Sequence, residues 1–306
     1  RDYSTLQKGG TSLQRRELGR WGSVLAYGWI VLVLLVVLSP HIGVLLLSFA
    51  TVWSYAPLPD GFTLEHYTTV FTDSPQMIRN TLLYCGLAAG IDVVLGVAIS
   101  YLILRTRLPG RQWLDWIASS ALAIPGVVLA IGYLRFYKGV TLPNSDTLLT
   151  STWVLIMVAY AVRRLPYALR ACYAALQQVN VSLEEAAESL GASKLSTIRR
   201  VVVPLMAGGI LADFVTSFIT AAVELSATLL LTSAESQAPM SYGIYLYMQS
   251  AAGRGPGAAL GVLAILVVAI GTWISHVVVE RTAAQRAPAV RHEAALAGTA
   301  GTGGQG

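Results

Sequence analysis

The chain has 306 residues, 55% of them hydrophobic and 12% charged, with a mean hydropathy of +0.61, a balance too apolar for a soluble domain of this length. Its net charge is +5, but the basic residues stand in short clusters beside apolar segments, which is the flanking pattern of membrane spans and not the one-sided patch of a nucleic-acid binder. Each bilayer crossing uses about 20 apolar residues, so little chain is left for an enzymatic domain, and composition predicts an all-α integral membrane protein with the lipid bilayer as its solvent.

The chain opens on Arg1, not Met, with a polar stretch to Arg20 that reads as a cytoplasmic segment or linker, residues 1–20. The first apolar run outlasts a signal-peptide core and ends in no small-residue cleavage site, so it reads as a retained span. Spans are predicted at 21–50, 80–103, 117–136, 148–162, 205–231 and 256–279, six in all, within a transmembrane domain of 21–282. The fourth is short because Arg163 and Arg164 interrupt it, and those long side chains are expected to snorkel to the interface. Pro40, Pro125 and Pro166 each remove a backbone donor and predict bends.

Between the first two spans, 53–76 is the one sizeable external segment, with a short helix expected near 64–71. Cys85 and Cys172 lie in apolar helical stretches and read as small hydrophobes. His41, His66, His276 and His292 share no ligand spacing, so no metal site is expected. The tail, 283–306, is rich in Ala, Gly and Thr, lacks an apolar period and is expected to be disordered.

Orientation follows from Lys and Arg. Basic residues crowd the N-terminal segment, the loop at Arg105, Arg107 and Arg111, the loop from Arg163 to Arg200, and the segment from Arg281 to Arg291. Only Arg79, Arg135, Lys138 and Arg254 of the 21 fall on the opposite side. The asymmetry puts both termini in the cytoplasm.

The longest inside loop, 175–204, contains Ser182-Leu183-Glu184-Glu185-Ala186-Ala187-Glu188-Ser189-Leu190-Gly191. Ser182 and Glu185 have capping-box spacing, and Ala, Glu and Leu favour helix. Glu184 and Glu185 suit the positive end of the helix dipole, and Gly191 can adopt the left-handed stop. The apolar side is made of Ala186 and Ala187, small enough to let another surface come close, which is the description of a docking element. A merely capped surface helix would account for Glu185 but not for the register that continues through Pro204.

In the fifth span Asp213, Ser217, Thr220 and Glu224 recur at helical spacing and form one polar stripe. Intramembrane carboxylates face an aqueous cavity or a partner helix. The stripe therefore either lines a translocation route or glues helices together, the second favoured by nearby Gly208, Gly209, Ala212 and Ala221. Asp92 in the second span fits either role.

Glu185-Ala186-Ala187, three residues, Gly191, nine residues, then Val201-Val202-Val203-Pro204 resembles the EAA loop of permeases from binding-protein-dependent ATP-binding-cassette (ABC) importers, with valines where isoleucine and leucine are more usual. The stretches 123–132 and 224–231 resemble the branch associated with ferric iron, and the opening segment resembles the linker of double-length permeases, which would make this chain a second half.

The resemblance implies a type I importer fold in a bacterial inner membrane. It also implies a cytoplasmic ABC ATPase dimer received on the coupling helix, a second permease half and an external substrate-binding protein. Ser182, Glu184, Glu185, Ala186, Ala187, Gly191 and Pro204 are the residues it places in ATPase coupling. No cofactor is expected on this chain, since it has no Gly-x-x-x-x-Gly-Lys-Ser/Thr loop to cradle phosphates; ATP and Mg would sit on the partner ATPase. Ferric iron is the substrate that likeness favours, ahead of aminoethylphosphonate, polyamine or thiamine. A channel or secondary transporter would predict inverted repeats or substrate-binding broken helices, and a membrane enzyme would predict clustered His, Asp or Cys near one interface; neither pattern is found.

Overall fold

A computed structural model describes residues 19–53, 56–249 and 252–300, the side chains of 278, 279 and 281–300 excepted. The described chain is almost wholly helical. Its long elements are α1 (Arg20–Phe49), α3 (Pro75–Arg105), α6 (Trp153–Gln177), α10 (Ala207–Ala222) and α13 (Arg254–Ala300). Shorter ones are α2 (Glu65–Asp73), α4 (Arg111–Ser120), α5 (Gly126–Phe136), α7 (Val181–Ser189), α8 (Lys194–Thr197), α9 (Val203–Leu205), α11 (Thr228–Leu231) and α12 (Met240–Met248). Among the described residues, α1, α3 and 254–277 of α13 are each long and apolar enough to cross a membrane unaided.

The other three predicted spans differ from expectation, each for a physical reason. The third is broken at 121–125 into α4 and α5, with Pro125 as the residue that precedes α5; a proline lacks the donor that would continue the helix. The fourth does not stop at Val162, because α6 continues through Arg163, Arg164 and Pro166 to Gln177. Those arginines do not snorkel: Arg164 is buried and both pair with a carboxylate inside the protein, which removes the need to reach water. Dropping them from the cytoplasmic basic residues leaves the asymmetry standing. The fifth span meets the segment 194–205 at a 75° bend and unwinds again between Ala222 and Thr228.

α2 and α12 are short helices outside the long bundle. The first falls where the external loop was expected to form one; the second lies between the fifth and sixth predicted spans. Val70 of α2 and Met240 of α12 pack with Met77, Ala259 and Leu260 in one buried cluster. The backbone of α13 is helical to Ala300, within the tail expected to be disordered; an apolar period reports packing, whereas an Ala-rich sequence favours helix without it.

The centre is a three-helix core of α3, α6 and α10. Tyr84, Cys85 and Ala88 of α3 meet Leu155, Ile156, Ala159 and Tyr160 of α6 and Ala221 of α10. Small residues set the approach. A Cβ on Gly96 would lie 3.1 Å from the backbone carbonyl oxygen of Ala168, and one on Gly209 would lie 2.5 Å from the Ala175 Cβ. Such close backbone contact is how membrane helices gain packing energy without a hydrophobic driving force.

Candidate functional site

Two regions are built from the residues the sequence singled out. The first is the coupling loop. Helix α7 starts two residues earlier than the predicted capping box allows: Asn180 is its N-cap, accepting from the Ser182 amide at 3.0 Å. The Ser182–Glu185 box is therefore not formed, and both residues are exposed. Asn ranks with Ser as an N-cap and stands in extended backbone just before the first turn.

The far end is as expected. Gly191 has φ +88, and the Ala192 amide donates to Ala187 O at 3.0 Å while the Gly191 amide donates to Glu188 O at 2.9 Å. This is a Schellman closure, which needs a left-handed residue at Gly191.

Glu184 has a role that dipole reasoning missed. It is buried, and its Oε1 accepts from Arg105 Nε at 2.6 Å. Tyr101 donates to Oε2 at 3.3 Å. The same guanidinium donates to Leu176 O at 3.2 Å and Val179 O at 2.7 Å, so one arginine gathers the end of α3, the end of α6 and the body of α7. A basic residue at a helix end is also favoured by the helix dipole.

The outer side of α7 is uncovered: Ala186 is exposed and Ala187 half-buried, and Leu190 is 90% and Leu195 76% exposed. Behind it Val202 is fully buried with Cys172, Leu176, Val179 and Met206. Pro204 lies exposed in α9, after a single wide turn of π-helix at Ile198–Val202, a form that recurs at functional bends.

The second region is the polar interior. Asp213 and Ser217 are buried in α10, and Asp92 of α3 has no exposed surface. Ser217 Oγ donates to Asp213 Oδ1 at 3.4 Å, while Asp213 Oδ2 and both Asp92 oxygens are buried without a hydrogen-bond partner among the described residues. Thr220 is half-buried, and its hydroxyl donates to Thr216 O at 2.8 Å. Glu224 lies beyond the last turn of α10, in the unwound segment. The predicted stripe thus divides: Asp213 and Ser217 stay on one helix, and Glu224 belongs to a break.

At that break Glu224 Oε1 accepts from Arg163 Nη1 at 3.1 Å and from the Ala227 amide at 3.2 Å, and its Oε2 accepts from Arg164 Nη2 at 2.9 Å. Arg164 also donates to Thr220 O at 2.6 Å, taking up a carbonyl that the broken helix frees. Thr228 and Ser241 hydroxyls both donate to Glu224 O, at 2.6 and 2.9 Å.

The break after Ser120 comes to the same place. A Cβ on Gly126 would run into the Arg163 guanidinium and lie 2.9 Å from the Ser226 Cβ. The two helix breaks, in separate stretches of sequence, therefore meet around one ion-paired knot on α6. Sequence reasoning named Glu224 but not Arg163, Arg164 or Gly126; adjacent arginines inside an apolar run were the available signal.

On the opposite side α10 is open. Val215, Thr216, Ile219 and Thr220 line, with Thr272, Ser275 and His276 of α13, a groove of about 340 Å³.

Comparison with known proteins agrees with this architecture. Residues 92–284 match the family described as binding-protein-dependent transport system inner membrane component. The ferric transport system permease protein FbpB of Actinobacillus pleuropneumoniae is 31% identical over 186 residues, 59% of this chain and 26% of the relative. The sulfate transport system permease protein CysT of Salmonella typhimurium is 31% identical over 160 residues, 50% of this chain and 57% of the relative. The chain spans about a quarter of the length of the ferric relatives it matches. A crystal structure of a bacterial ABC transporter involved in importing the acidic polysaccharide alginate shares the fold, with TM-score 0.62 and 20% identity over 84% of this chain and 98% of the other. With its helical membrane architecture, its capped loop helix and a family match over residues 92–284, the chain belongs to the binding-protein-dependent transport system inner membrane components.

Proposed function

We propose that the chain forms one half of the translocation pathway of an ATP-driven importer, with α7 as the element that receives the ATPase. The observation that carries this reading is the uncovered side of the coupling loop: Val181, Leu183, Leu190 and Leu195 are exposed beside Ala186, in a segment outside the spans, where lipid does not cover them. Exposed apolar groups grouped in this way mark a protein interface. Closure of an ATPase dimer would draw α7 toward the α7 of a second permease half, and the Arg105 bracket would carry that displacement into α3 and α6.

In this reading both termini are cytoplasmic, and a substrate-binding protein docks on the opposite face. Ser182, Glu185, Ala186, Ala187 and Gly191 shape the docking helix, Glu184 fixes it to the bundle, and Pro204 ends the segment behind it. Asp92, Asp213, Ser217 and Glu224 hold helices together, as their burial supports, and the route runs along the open side of α10 at Thr216 and Thr220. Ferric iron is the proposed substrate, supported by the ferric permease relatives; the sulfate relative makes an oxyanion the second reading. Reconstitution with the cognate binding protein and ATPase tests both parts. ATP-dependent accumulation of radioactive iron in preference to radioactive sulfate is expected, and accumulation of sulfate alone would replace the substrate while leaving the coupling intact.

A further inference from the structure

The end of α3 carries a second cluster that the transport reading does not use. The span stops at Arg105, and residues 106–110 lead into α4 through Gly110, which has φ +76. Arg107, Leu108, Gly110, Arg111, Gln112 and Trp113 line an open cleft of about 470 Å³. Because α3 is a membrane span by length and hydropathy, its end places this cleft at the lipid–water boundary.

α4 is two-sided in an unusual sense. Asp115 and Ser119 face α6, where Arg170 Nη2 lies 3.1 Å from Asp115 Oδ1 and 3.3 Å from Ser119 Oγ, and Ala118 is buried. The outward stripe at i, i+3 and i+4 is Trp113, Trp116 and Ile117, exposed by 64, 68 and 67%, with the two indoles edge to face at 5.5 Å. An apolar stripe turned outward on a short helix, with paired tryptophans at one end, fits insertion at the headgroup level.

The charge beside it is positive. Arg107 is exposed, and among the described residues no ion pair engages Arg107 or Arg111; Arg111 donates to Thr106 O. Two guanidiniums without carboxylates, beside two outward-facing indoles, match a phosphodiester joined to a diacylglycerol. Guanidinium pairs with phosphate oxygens through directed hydrogen bonds.

We infer that the cleft at 107–113 binds the headgroup of an anionic phospholipid, with Arg107 and Arg111 on the phosphate and Trp113 and Trp116 against the glycerol and upper chains. The lipid would brace the α3–α4 corner, one residue beyond the Arg105 bracket that holds α7.

The test is fluorescence quenching of the full chain in nanodiscs of phosphatidylcholine, in which a minor fraction is brominated phosphatidylglycerol or, in parallel, brominated phosphatidylcholine. Brominated phosphatidylglycerol is expected to quench more strongly, with an apparent preference on the order of fivefold per arginine. The double substitution W113F/W116F should remove that lipid-specific component, R107Q should lower the preference about fivefold, and R111K should retain it because the charge remains. R107Q leaves the helix and the Arg105 bracket untouched, so its fold is checked by an unchanged melting temperature. Equal quenching by the two lipids in the unaltered chain, a preference that R107Q leaves undiminished, or a lipid-specific component that survives the double tryptophan substitution would overturn the proposal.

Discussion

Arg105 Nε and Glu184 Oε1 are 2.6 Å apart, joining the last residue of the apolar helix α3 to the short helix α7. Both side chains are largely shielded, with 12% and 7% of their surface exposed, and the guanidinium also closes two carbonyls at the end of α6. The loop helix is thus fixed to the bundle at Glu184 and free at Ala186, an arrangement suited to passing a push inward.

Removing the carboxylate leaves a shielded guanidinium without its partner, a change that costs about 2–4 kcal/mol where water reaches it poorly. E184Q is expected to raise hydrogen exchange of the α7 amides and to lower transport more than it lowers insertion or expression. Unchanged exchange across 181–189 would show that the bracket does not hold the helix.

The knot at Glu224 predicts a different outcome. E224Q leaves the guanidiniums of Arg163 and Arg164 without their carboxylate inside the bundle, with an expected loss of about 3–5 kcal/mol. The melting temperature in detergent should fall along with uptake. A loss of uptake at full thermal stability would move Glu224 to the transport route.

Asp92 should behave in the opposite way. Its two oxygens are buried without a hydrogen-bond partner among the described residues, so replacing the carboxyl by a neutral amide removes a poorly solvated group without breaking an ion pair. D92N is expected to keep or raise the melting temperature, within about 1 kcal/mol of stability. A clear drop would mean that the carboxylate holds something within the α3–α10 contact.

The helix approach at Gly209 is tight enough to test by one methyl. G209A would put its Cβ 2.5 Å from that of Ala175, forcing α10 and α6 apart at a cost of about 1–3 kcal/mol. The thermal midpoint of G209A reports it directly; an unchanged midpoint would show that the helices give way freely.

Much of this was legible in the sequence, and the misses have specific causes. Hydropathy finds α1, α3 and the start of α13 because each is a long uninterrupted apolar run. The Schellman stop at Gly191 and the small-residue contact at Gly209 are local chemistry, so residue type alone points to them. Arg163 and Arg164 misled the reading of α6 because hydropathy treats a charge as if it stood alone, whereas their partner Glu224, 61 and 60 residues downstream, meets them only in the folded chain. The pairing of Glu184 with Arg105 was missed for the same reason. The capping error is smaller: Asn180 and Ser182 both suit an N-cap, and the extended backbone at Asn180 decides between them.

The claim that α7 takes up work from a separate ATPase is tested most directly by substrate accumulation in vesicles reconstituted with and without that ATPase, using the unaltered chain and A187W. Accumulation should require the ATPase and ATP, and A187W, which fills the small-residue surface, should lose both ATPase association and uptake, roughly tenfold or more if the lost contact is worth about 1.4 kcal/mol. Uptake that proceeds without the ATPase, or that A187W leaves intact, would contradict it.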